Sequence, residues 1–89
     1  MNVQIFAEKT AVVADTIARN NGQSINITKA VNYISENVRE KYIAMMEETA
    51  KDLKDLPNKQ WQLKLIETNL RYHIATFAKE VADNCQETI

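Results

Sequence analysis

The spacing of apolar residues predicts an all-α fold: one three-helix domain over residues 1–89, with two long helices forming an antiparallel hairpin. Three observations carry this. The chain holds one Gly and one Pro in 89 residues, against roughly six and four at average usage. Turns draw on those residues for their special dihedrals, so so few of them leave room for few turns. Apolar residues recur at steps of three and four, the signature of one helix face. Finally, Pro57 is the sole strong breaker between Gly22 and the C-terminus, with a long amphipathic pattern on either side of it.

The first helix is predicted over residues 3–20. Val3, Phe6, Thr10, Val13 and Ile17 share a face, flanked by Ala7, Ala14 and Ala18. Gly22 follows Asn20 and Asn21 and suits the left-handed position just past a helix end. Ser24 and Thr28 are candidate N-caps for the next segment. That second helix is expected over 28–55, roughly 40 Å at 1.5 Å per residue. Its stripe runs Val31, Ile34, Val38, Tyr42, Met45, Thr49, Leu53 and Leu56, led in by Ile27. The steps mix heptad and eleven-residue spacing, so a fairly straight bundle is expected rather than a left-handed supercoil.

The third helix is expected over 57–87, with Pro57 in its first turn, where a missing N–H costs nothing. Leu63, Ile66, Leu70, Ile74, Phe77, Val81 and Cys85 make its apolar face, and Glu67 with Arg71 is an outward i,i+4 pair. Helices of matched length across a short hinge should lie antiparallel, with the first helix covering part of their groove.

Charge mainly excludes. Eleven basic and twelve acidic residues give a net charge of −1. Phosphate neutralisation needs a basic stripe, and here both signs are interleaved, which disfavours nucleic acid. No stretch has the ~18 apolar residues of a membrane span, and the first residues lack the basic and apolar regions of a leader. The lone Cys85 cannot close an internal disulfide and fits a reducing compartment. A cytoplasmic protein is expected. Asn, Ile and Lys make up 26 of the 89 residues, a usage that suits an AT-rich bacterial or phage genome.

Little in the chain suggests catalysis. His73 is the only histidine, and Leu70 stands where the Glu of a Glu-x-x-His di-iron motif would be. A single Gly excludes a Gly-rich phosphate loop. His73 reads as a packed histidine with one nitrogen bonded, and Cys85 as a small apolar filler. Met45 and Met46 read as core and its edge. No cofactor, no metal ligand and no enzyme activity are expected.

The informative surplus is a second apolar stripe. Trp61, Leu65 and Tyr72 lie nearly opposite the Leu63–Cys85 face, and Tyr33 and Ile43 fall off the main stripe of the second helix. Ile5 and Val12 do the same on the first. Either the first helix covers such a surface or another chain does, and Trp and Tyr are enriched at binding hot spots. The expected function is therefore protein–protein interaction, with self-association into a homodimer. Two alternatives stand beside it. One is a small adaptor, chaperone or inhibitor that binds a heterologous protein through Trp61, Leu65 and Tyr72. The other is a dimeric nucleic-acid regulator with a patch of Lys51, Lys54, Lys59 and Lys64.

Overall fold

The computed structural model describes residues 2–86. It contains three helices: α1 (Val3–Asn20), α2 (Ile27–Leu53) and α3 (Lys59–Asn84). No strand occurs among the described residues; the one β-bridge pairs Ile25 with Gln86. The fold is all-α, as the periodicity requires.

Each helix starts on an asparagine. Asn2, Asn26 and Asn58 have extended backbones, and their side-chain oxygens accept from the N–H groups of Ile5, Lys29 and Trp61 at 2.9, 3.0 and 3.0 Å. Each satisfies one of the orphan donors of a first turn. The second cap is thus Asn26 rather than Ser24 or Thr28. Pro57 precedes the Asn58 cap instead of occupying the first turn of α3. Its ring disfavours the α region at Leu56, so the chain cannot run on as one helix; α2 stops at Leu53 and α3 begins at Lys59. Residue 87, the expected end of α3, lies outside the described residues.

The end of α1 is a Schellman motif. Gly22 has φ 68°, its N–H reaches the Arg19 carbonyl at 3.0 Å, and the Gln23 N–H reaches that of Ala18 at 2.8 Å.

α2 and α3 run antiparallel, as their cross-contacts show. The Asn26 N–H donates to the Cys85 carbonyl at 2.7 Å. Tyr33 Oη donates to Glu80 at 2.8 Å, Glu48 meets His73 at 2.8 Å, and Asn69 Nδ2 donates to Thr49 at 3.3 Å. α1 ends where α3 ends, held by Gln86 Nε2 donating to Gln23 at 2.9 Å. Its N-terminus therefore points along the hairpin towards Pro57.

α1 packs most extensively on α3. Small buried residues line both: Thr10, Ala14 and Ala18 on α1, Ala78 and Ala82 on α3. The Thr10 hydroxyl donates to the Phe6 carbonyl at 2.7 Å, so its burial leaves no polar group unpaired. Phe6 and Phe77 stack with centroids 6.1 Å apart, and Tyr42 meets Phe6 edge-on at 5.8 Å. Their large apolar areas dominate the core.

Two stretches of the expected stripes are not buried. Ile27 and Val31 are 75% and 54% exposed, and Ala30 takes the inward place. There the Asn26–Cys85 hydrogen bond draws the backbones together, which suits a small side chain. On α3, Leu63 and Ile66 are also exposed. The cause is length: at 1.5 Å per residue α1 reaches about 27 Å, and α2 and α3 about 40 Å.

Candidate interaction surface

The hairpin outruns its cover. α1 begins at Val3, one turn before Phe6, and Phe6 already meets Tyr42 of α2. Beyond that level the stripes of α2 and α3 continue towards Pro57 at unchanged helical spacing, with no third helix above them. Leu63 is 59% exposed, Ile66 41% and Met46 51%. Between the two helices lies a trough of about 250 Å³, lined by Tyr42, Met45, Met46, Thr49, Ala50, Leu53, Ile66 and Leu70. Leu70 also lines a more open hollow on the α1 side, where Val12, Val13 and Ile74 form the floor and Glu8, Lys9, Glu67 and Arg71 the edges. The two hollows meet at Leu70; the trough is lined by apolar side chains and Thr49, and the hollow on the α1 side joins an apolar floor to charged edges, the arrangement typical of a recognition surface.

The five residues singled out for binding from the sequence are not gathered into one site. Trp61 is 56% exposed at the tip, with Lys64 Nζ 5.7 Å from its ring centroid. Leu65 is half-buried and shares a small hollow with Trp61 and Leu56. Tyr72 is 64% exposed, its ring edge-on to His73 at 5.4 Å. Ile43 is exposed on α2. Tyr33 serves the interior instead: its ring packs 6.4 Å from Phe77 and its hydroxyl is bonded to Glu80. Periodicity places Leu63, Ile66 and Met46 in the core or at its edge, and the structure leaves all three exposed. The signal that could have reclassified them is the expected helix lengths, since 18 residues cannot cover a hairpin of much longer arms.

Polar chemistry in the fold serves cohesion. Glu80 takes the Tyr33 hydroxyl on one carboxylate oxygen and Lys41 Nζ, at 3.0 Å, on the other. The Tyr33 hydrogen bond, and then Lys41, hold the Glu80 carboxyl below its usual range against a smaller opposing effect of burial. The same bond, with burial and the carboxylate charge, pushes Tyr33 up to about 12. Burial raises the Cys85 thiol, with Lys29 opposing weakly. A raised thiol is a poor nucleophile at neutral pH. His73 is largely buried and bonded through Nε2 to Glu48. Among the described residues, no group of three His, Cys, Asp or Glu side chains could hold a metal ion, and no helix is long and apolar enough to cross a membrane. Lys51, Lys54, Lys59 and Lys64 are all exposed around the tip, interleaved with Asp52 and Asp55.

Comparison with protein-family models, curated proteins and solved structures finds no match to this chain.

Proposed function

We propose that this chain is a non-enzymatic helical interaction module that self-associates into a dimer. One observation carries the reading: the apolar stripe of α3 runs past the end of α1, leaving Leu63 and Ile66 exposed on the face that is half-buried at Leu70 and core from Ile74 onward. A solvent-facing helix surface normally turns polar. Here the pattern stays that of a buried face, so the sequence specifies a cover that α1 does not supply. The mixed charges of Glu8, Lys9, Glu67 and Arg71 beside Leu70 favour a protein occupant over a polyanion.

Light scattering after gel filtration tests this directly. The expected mass at micromolar concentration is about twice the 10.2 kDa of one chain. A mass of one chain at every concentration would overturn self-association, leaving a heterologous protein as the cover.

A further inference from the structure

Resting on that reading, we propose which surface makes the dimer and how: two copies dock the uncovered ends of their α2–α3 hairpins face to face, antiparallel, as a four-helix bundle about a twofold axis beside Ile66 and Leu53.

The area fits. The chain exposes 6493 Å², whereas a compact monomer of this mass exposes about 5,300 Å². Its radius of gyration is 14.5 Å, against about 12 Å for a compact chain of this length. The molecule is a rod of 52 × 24 × 16 Å with an excess of about 1,200 Å². One partner in a stable interface buries about 800 Å². The excess therefore exceeds the area that one standard interface takes from a partner.

A second copy is the natural occupant because the surface is two-helical and self-complementary. Each uncovered end is a two-helix layer with one apolar face, and two such layers close a four-helix core in which every stripe is buried. A twofold interface uses the same patch from both chains, so nothing further is needed to complete it.

Charge sets the orientation. The tip, residues 51–64, carries four lysines against two aspartates. The adjoining band, residues 40–50 and 65–72, carries four glutamates against Lys41 and Arg71. An antiparallel arrangement lays the basic tip of each copy over the acidic band of the other. A parallel one would oppose tip to tip. Like-charge juxtaposition is disfavoured and opposite patches fix register.

The boundary between tip and band passes the level of Leu53 and Ile66, which both line the trough. The axis falls there, bringing Ile66 close to its own copy.

Three variants test the arrangement, with the dimer dissociation constant from sedimentation and helicity from circular dichroism as readouts. Ile66→Glu should raise the dissociation constant at least 100-fold while leaving helicity intact, since Ile66 is already 41% exposed in one chain. Ile66→Cys should give a disulfide-linked dimer under mild oxidation, because the axis brings the two copies within disulfide range. Thr68→Cys, on the opposite side of α3, should not, and the unaltered chain, whose thiol is buried, is the blank. Lys59→Glu with Lys64→Glu should weaken the dimer at least tenfold.

A dimer that persists in Ile66→Glu, or that cross-links through position 68 and not 66, overturns this surface while self-association stands. An unchanged dissociation constant in the double lysine variant overturns the antiparallel orientation. A monomeric unaltered chain overturns both this surface and the reading beneath it.

Discussion

Replacing Tyr33 by Phe removes one oxygen and leaves the ring against Phe77, so it isolates the hydroxyl's bond to Glu80. That bond joins α2 to α3 across 47 residues of sequence at 2.8 Å. Hydrogen bonds to charged groups contribute about 1.5–3 kcal/mol. The Glu80 side chain is 36% exposed and also paired with Lys41, so solvent screening and the second partner favour the lower end, about 1–1.5 kcal/mol. For a domain of this size that lowers Tm by about 5–10 °C. The pH dependence has a definite sign. Tyr33 titrates near 10 when unfolded and about 12 when folded. The fold therefore favours the protonated phenol, and its contribution is complete below pH 10 and lost as pH rises towards 12. Glu80 has a lowered folded value, so its contribution is present above the ordinary carboxylate range and disappears as pH falls through that lowered value. Thermal melts at fixed protein concentration, at pH 7 and in steps from pH 9 to 12, provide the assay. Tyr33→Phe should melt lower than the unaltered chain at pH 7, and the gap should narrow above pH 10. Equal melting temperatures at pH 7, or a gap that stays constant to pH 12, would refute the reasoning.

Other substitutions probe the remaining supports. Phe6→Ala empties the site where all three helices meet and should cost about 3–5 kcal/mol, seen as a large drop in Tm and a broadened transition. Gly22→Ala places a Cβ at φ 68°; no atom beyond its chain neighbours lies within 4 Å of it, so the cost is backbone strain alone, about 1–2 kcal/mol, and a urea midpoint that does not move would contradict it. Asn58→Ala removes the side-chain acceptor of the Trp61 N–H and should cost about 1 kcal/mol. Because the lesion sits at the tip, it should raise amide exchange at the start of α3 before it affects α1.

The helices were legible because their causes are local. Gly22 ends α1 through its own dihedral, Pro57 stops α2 through its ring, and Phe6, Ile34, Ile74 and Phe77 recur at helical spacing whatever surrounds them. The chosen caps were less legible. Asn26, Ser24 and Thr28 have similar capping chemistry, and Asn26 prevails where its own N–H also reaches the Cys85 carbonyl, 59 residues away. The binding surface was the least legible. Tyr33 sits off the α2 stripe by periodicity, yet its bond to Glu80 and its packing on Phe77 draw it inward; Leu63 and Ile66 sit on the α3 stripe, yet lie open.

Periodicity alone determined that this chain makes three helices, which faces of them are apolar, and that two long helices fold back at Pro57. Those follow from dihedral preference and from the 3.6-residue repeat, both carried within each segment. Which parts of those faces are covered was decided only by the tertiary structure. Burial is a relation between elements: it depends on where α1 docks along the hairpin and on how much shorter it is. α1 is fastened at the end where α3 terminates, through Gln23 and Gln86, so the whole shortfall in length falls at the other end, above Ile66.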